Sequence, residues 1–306
     1  ACDDLLDHQV LKICIWFSAS FVLLLNSFAY LTNTITMETT VQNFLIKQLH
    51  LSDTSLGVYY VIIGSVAAQY TDIFPAVTQK WLFSLLYHVC TLISTTSILS
   101  SAGFVILISL DRFLLLGKGT IRCQGMLSKT AYALGVVCWF SSSSLSILIS
   151  YVLLDKPQHK NNLGFLFATD SFTNETIDHI VIVLTSLLAI CFIFLLYVYL
   201  AIYISVKRTE KAVAKASTGK SKSWNLAMKA VVAMSGIMLS WLPLIVMNFA
   251  TVGGVNTSMK RIGWSVVVAA PISCIVNPFA YALNLQMLHK SFGKGWQSKS
   301  NLTKKR

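Results

Sequence analysis

Residues 272–281 read Ile-Ser-Cys-Ile-Val-Asn-Pro-Phe-Ala-Tyr and lie inside an uncharged, largely apolar run from Ile262 to Leu285. A run of this length can cross the hydrocarbon of a bilayer as a helix, which takes about 20 residues. Asn277 and Pro278 are awkward members of such a run. Proline removes a backbone donor and crowds the carbonyl four residues earlier. An amide in hydrocarbon is costly unless it is hydrogen-bonded. The pair therefore marks a point where the helix bends and bonds sideways to something else.

Six further apolar runs of spanning length precede it, at about 10–33, 44–68, 82–110, 131–154, 177–206 and 226–250. The chain is 55% hydrophobic and only 12% charged, with a mean hydropathy of +0.67. Water-soluble domains are nearer a quarter charged, so an all-α membrane protein, a bundle of seven transmembrane helices, is expected. Barrel strands of about 10 alternating residues do not produce such runs. None of these runs is expected to be a removable leader, given the length of the first and the acids Asp3, Asp4 and Asp7 before it.

Lysine and arginine set the expected orientation. With the N-terminus outside, 18 of the 24 basic residues fall on the cytoplasmic side, concentrated in Lys207–Lys229 and Lys290–Arg306. Sequons at Asn174 and Asn256 then lie in outer loops as glycosylation candidates, while that at Asn301 lies inside. The net charge of +12 is scattered over separate loops. It fits anionic membrane lipids and argues against nucleic acid.

Function is carried by the polar residues within the spans. Asp53 lies in the second, Asp111-Arg112 ends the third, Trp241 and Pro243 lie in the sixth, and Asn277, Pro278 and Tyr281 in the seventh. Each has an ordinary reading. Asp53 can be a protonated acid bonded to a neighbour, and Asp111-Arg112 an interfacial pair that snorkels. In order along the chain, however, they resemble the rhodopsin-like G-protein-coupled receptors. Asp53 matches the second-helix aspartate of that family, and Asp111-Arg112-Phe113 its Asp-Arg-Tyr triplet with Phe in the last place. Trp139 matches the fourth-helix tryptophan and Tyr199 the fifth-helix tyrosine. Trp241-Leu242-Pro243 matches the sixth-helix switch, and Asn277-Pro278-Phe279-Ala280-Tyr281 the Asn-Pro-x-x-Tyr motif.

The segment Met37–Gly64, the entry Cys2–Trp16 and the run Pro271–Tyr281 are similar to receptors that carry leucine-rich-repeat ectodomains, the relaxin receptors especially. This resemblance implies a receptor that passes a peptide or protein hormone signal to a heterotrimeric G protein, with cAMP as a fitting output. It implies a plasma-membrane location and a hormone-binding ectodomain upstream of Ala1. Residues 1–9 would be a hinge remnant, 10–286 the receptor bundle, and 287–306 a cytoplasmic tail. That tail would hold a short amphipathic helix bearing Leu288, Phe292 and Trp296. Cys2 would then pair upstream; a free thiol is the alternative.

Departures from the family pattern carry expectations of their own. Tyr87 stands where the third-helix disulfide cysteine usually lies, with Trp81 confirming the register, and Cys90 is three residues late. Leu166 takes the partner's place, so no bridge closes the second outer loop, which should be less tied down. The fifth span lacks its proline, Leu25 precedes Asn26 where Gly is common, and Ser240 precedes Trp241 where Cys is commoner. Ser223 replaces the acid that holds Arg112 in many receptors, which predicts ligand-free signalling. Ser217, Thr218, Ser221, Ser298 and Ser300, with Ser223, are loop or tail hydroxyls open to phosphorylation or simply solvated.

The resemblance also gathers Asp53, Ser101, Ser273 and Asn277 around one point, where many family members hold a sodium ion. One carboxylate with neutral oxygens suits such a cation, and a water-filled polar network is the alternative. No other cofactor is implied. Ser94 occupies the place of the amine-binding aspartate, the seventh span has no lysine for retinal, and no catalytic or nucleotide motif is present. Neither an amine receptor, an opsin nor an enzyme is expected. Two rivals stay open: a seven-helix transporter or channel, disfavoured by the absence of an internal repeat, and a divergent receptor-like protein that couples to no G protein.

Overall fold

The computed structural model describes residues 5–6, 9–36, 40–116, 126–152, 162–165, 175–214, 222–255 and 259–282. Five helices account for the first four crossings and a connection between them: α1 (Gln9–Thr36), α2 (Val41–Gln69), the short α3 (Phe74–Leu82), α4 (Leu85–Leu116) and α5 (Ser128–Val152). They are followed by α6 (Glu175–Ala214) and α7 (Lys222–Val252). The last crossing is composite. It runs through α8 (Met259–Trp264), a π-helical turn Ser265–Ala269, α9 (Pro271–Asn277) and a second π-helical turn Pro278–Ala282. Among the described residues, six helical stretches are long and apolar enough to cross a membrane, and Gly236–Val252 in α7 is a shorter apolar one. This is the expected bundle of seven crossings.

Most sequential crossings pack as neighbours. α1 lies on α2, α2 on α4 and α4 on α5; α6 lies on α7, and α7 on α9. α1 closes the bundle against α9, and α4 also reaches α6. Gly236 allows the close approach of α7 to α9, since a Cβ there would lie 2.9 Å from the Val276 side chain.

The element boundaries follow local chemistry. Thr40 caps α2 by accepting the Asn43 N–H at 3.3 Å. The third crossing corrects the expected run of 82–110. Pro75 sits in the first turn of α3, where a missing N–H costs nothing. The chain then breaks at Phe83-Ser84, where the Ser84 hydroxyl accepts the Tyr87 N–H at 3.1 Å. Hydropathy cannot register a cap, so Leu82 belongs to α3, and the spanning helix starts only at Leu85.

Two apolar clusters form the core. One fills the half of the bundle nearer the start of α1, here the near face, and includes Leu6, Tyr59, Tyr60, Trp81, Tyr87 and Phe165. The other fills the opposite half, the far face, with Leu45, Leu49, Phe104, Ile108, Tyr199 and Ile237. Buried polar side chains lie between them, including Asn26, His50, Asp53, Ser101 and Asn277.

At the near face, residues 162–165 dip into the bundle. Trp81 Nε1 donates to the Asn162 carbonyl at 2.8 Å, and the Tyr59 hydroxyl donates to that of Leu163 at 2.9 Å. Ser94 donates to the Gly164 carbonyl at 3.0 Å. Gly164 takes φ +61°, the left-handed region open to glycine. Phe165 is fully buried, with its ring centroid 6.0 Å from that of Tyr59. Cys90 is a free, buried thiol. Tyr87, at the expected bridge position, stacks edge-on against Trp81 at 5.6 Å. This part of the loop is thus tied down without a disulfide, contrary to the looseness expected from sequence. Leu166 lies outside the described residues, as do Cys2, the tail from residue 283 onward, both outer sequons and the loop hydroxyls Ser217, Thr218 and Ser221.

Phe165→Ala removes a fully buried aromatic side chain and should cost about 3 kcal/mol, read as a lower unfolding midpoint of the reconstituted protein. Phe140→Ala, at a position 74% exposed, should leave the midpoint in place. Equal midpoints for the two variants would mean that Phe165 does not anchor the loop.

Candidate functional site

The two prolines of the seventh crossing organise the site. Pro271 has no N–H to give to the carbonyl of Val267, four residues back, or to that of Val266, five back as in a π-turn. Side chains from other helices take both acceptors. Ser18 of α1 donates to the Val267 carbonyl at 2.7 Å, and Tyr60 of α2 donates to that of Val266 at 2.8 Å. Pro278 likewise strands the carbonyl of Cys274, and Asn26 of α1 donates to it through Nδ2 at 2.9 Å. The other end of that amide is used as well. Asn26 Oδ1 lies 2.9 Å from His50 Nδ1. An amide oxygen only accepts, so His50 carries its proton on Nδ1.

Asp53 is fully buried on α2. Ser101 of α4 donates to its Oδ1 at 2.8 Å, and Asn277 Nδ2 donates to its Oδ2 at 2.8 Å. A charge or acid at this depth is tolerable only when its oxygens are bonded. The result is a knot that ties α2, α4 and α9 at one level. Three of the four grouped residues are therefore brought together. Ser273 lies a turn away on α9 and faces α7, with its hydroxyl 3.1 Å from that of Ser240. Ser240 in turn donates to the Ala270 carbonyl at 2.6 Å. Ser97, Ser101, Ser240, Ser273 and Trp241 line a shared cavity beneath Phe165. Within it, Ser97 Oγ is buried and has no hydrogen-bond partner among the described residues.

The far-face residues fall into place separately. Tyr199 is buried on α6 and accepts a hydrogen bond from Ser109 of α4 at 3.3 Å. One turn on from Ser109, Asp111 and Arg112 are both buried, and Asp111 Oδ1 accepts the Met126 N–H at 2.9 Å. The aspartate thereby fixes the chain just before α5. Trp139 of α5 donates to Gln48 of α2 at 2.9 Å. Pro243 is on the exposed side of α7, while Trp241 turns partly inward. Tyr281 belongs to the second π-turn; its side chain and that of Ser223 lie outside the described residues.

Sequence reading missed Ser18, His50, Ser97 and the Ser240–Ser273 pair. Helical spacing held a signal for two of them. Ser97 is four residues before Ser101, and His50 three before Asp53, so each lies on the same helix face as a residue already singled out. Ser18 had no such marker, because its partner is a backbone carbonyl.

A buried acid is thus knotted to a proline-broken last helix within a bundle of seven apolar crossings. The model of the seven-transmembrane receptors of the rhodopsin family matches residues 24–281, and the chain belongs to that family. It is 23% identical over 288 residues to G-protein coupled receptor GRL101 of Lymnaea stagnalis, covering 93% of this chain and 26% of that protein. It is 20% identical over 309 residues to relaxin receptor 1 of Mus musculus, covering 97% and 39%. Against relaxin receptor 1 of Homo sapiens it is 22% identical over 263 residues, covering 82% and 33%. The chain thus spans between a quarter and two-fifths of the length of these relatives.

The Asn26 bond can be measured by a double-mutant cycle. Pro278→Ala restores an N–H that can serve the Cys274 carbonyl within the helix. Asn26→Ala should then cost about 1 kcal/mol less in the Pro278→Ala background than in the parent. Additive losses would mean that Asn26 does not answer the proline.

Proposed function

We propose that the chain is the signal-relaying bundle of a hormone receptor in the plasma membrane, with its N-terminus outside and a heterotrimeric G protein as its cytoplasmic partner. The observation that carries this reading is the knot of Asp53, Ser101 and Asn277. It joins three helices at the level where the last helix is broken by Pro278 and where Trp241 of α7 adjoins. Such a joint has two packings of similar energy, and a ligand biases one over the other. Motion there is delivered to the far face, where Tyr199, Asp111 and Arg112 are buried and Tyr281 follows one turn beyond Asn277.

A peptide or protein signal fits the near face better than a small diffusible ligand does. Residues 162–165 fill that end of the bundle, and Ser94 is engaged by the Gly164 carbonyl. The likeness to relaxin receptor 1 supports a peptide hormone, and a repeat-bearing ectodomain upstream of Ala1 would supply the capture surface. A cAMP response fits the same branch.

A sodium ion in the resting state is part of the proposal. Asp53 and the hydroxyls of Ser97, Ser101 and Ser273 supply the hard oxygens, and Asn277 orients the carboxylate through its N–H. The buried Ser97 hydroxyl, without a partner among the described residues and part of the lining that Ser101 and Ser273 share, supports that fit. Sodium replacing N-methylglucamine at constant ionic strength should raise the unfolding midpoint of the parent and not that of Asp53→Asn. An equal rise in both would remove the site.

Coupling is tested by nucleotide exchange on purified G proteins of each class, with the reconstituted chain as catalyst. The parent should accelerate exchange without ligand, Ser223→Glu should reduce that basal rate, and Arg112→Ala should abolish it. No acceleration by the parent with any class, alone or under its hormone, would leave the non-coupling reading. A solute or ion flux through the same vesicles would favour the transporter.

A further inference from the structure

A second cavity lies below the first, between α4, α6 and α7, with Trp241 at its upper edge. Its empty space is about 420 Å³ counted out to its open side. Three features define it. Its wall is apolar, formed by Ala102, Val105, Ile106, Phe192 and Ile237. Its floor is polar, made by Ser101, Ser273 and Asn277. Finally, the α6 residues on its rim, Leu188, Cys191 and Phe192, are only half-buried, so it opens toward the acyl chains around the bundle.

Asn277 gives the floor a direction. A carboxylate only accepts, so the Asn277 atom bonded to Asp53 is the NH₂ group. The amide oxygen is the other atom. It is buried, has no partner among the described residues, and belongs to a residue 1% exposed that lines this cavity. A buried acceptor without a donor costs about 1–3 kcal/mol. What the site lacks is therefore one hydrogen-bond donor attached to an apolar body.

We infer that this crevice binds a small membrane-dissolved phenol or alcohol, with its ring or alkyl body against Ala102 and Phe192 and its hydroxyl donating to Asn277 Oδ1. The enclosed end is too small for a sterol or an acyl lipid, and a polar floor at mid-membrane depth suits a single hydroxyl rather than a charged headgroup. The crevice shares Ser101 and Ser273 with the near-face cavity and with the oxygens assigned to sodium, and differs from both in its opening beside α6 and in its use of the Asn277 amide oxygen. Its occupancy does not depend on whether the chain couples to a G protein.

The probe is 4-bromophenol, whose bromine quenches tryptophan fluorescence at short range, titrated against the full chain in nanodiscs. Trp241 is the reporter at the cavity edge. The parent should show a saturable quenching component above the linear one from bilayer partitioning. Trp241→Phe should lose that component. Ala102→Leu and Cys191→Leu, which fill the crevice from two sides, should lose it too while keeping their unfolding midpoints. Should one filling variant fail to fold, the other still decides. Bromobenzene, lacking the hydroxyl, should bind about fivefold more weakly, as one neutral hydrogen bond of about 1 kcal/mol implies. Purely linear quenching of the parent overturns the proposal. So does saturable quenching that survives in Trp241→Phe or in a folded filling variant, and so does bromobenzene binding as tightly as the phenol.

Discussion

The structure depends on where the carbonyls stranded by two prolines find their donors. In water a broken helix turn is solvated at little cost, but in hydrocarbon it must be answered from within the protein. Pro271 and Pro278 strand acceptors at two levels of the seventh crossing, and α1 reaches both, through Ser18 and Asn26. Tyr60 of α2 answers a third carbonyl. These bonds are lateral. They exchange the self-sufficiency of a regular helix for attachment to neighbours, and they fix α1 as the wall that closes the bundle.

Asp53 follows from the same constraint. Once Pro278 has turned the helix, the Asn277 amide points inward, where its N–H needs an acceptor of its own, and the aspartate two helices away supplies one. The knot is poor as a stabilising device. A buried polar cluster often gives no more stability than apolar residues of the same shape, and it is costly when half satisfied. Its value lies in discreteness. Few arrangements satisfy all its donors and acceptors, so the bundle has few packings rather than a continuum.

Much of this was legible in the residues. Seven apolar runs located the crossings to within a few positions, since desolvating charge dominates all local preferences at membrane depth. The inward residues Asp53 and Asn277 could be named because polar side chains there must face a partner, whereas Ser101 was legible only through the family resemblance. Backbone acceptors were not legible: nothing in the side-chain sequence says that Ser18 meets the Val267 carbonyl. The break between α3 and α4 was hidden for a similar reason, because Ser84 ends one helix and starts the next inside an apolar run. Ser273 was placed on the right helix, but its partner Ser240 depends on how α7 rotates against α9, which tertiary packing decides.

The near face illustrates how one covalent constraint can be replaced by several weak ones. A disulfide acts mainly by limiting the unfolded chain and is typically worth 2–4 kcal/mol. Here Trp81, Tyr59 and Ser94 each hold one carbonyl of the segment 162–164, at about 1 kcal/mol apiece, and Phe165 adds the burial of a whole ring. The sum is comparable, but the character differs. A covalent bridge keeps its loop attached in every conformation of the bundle, whereas these contacts exist only while α2, α3 and α4 hold their present spacing. The loop is therefore coupled to the helices it touches. Any force that draws residues 162–165 outward also withdraws the Phe165 ring from above the cavity that Trp241 shares with Ser101 and Ser273.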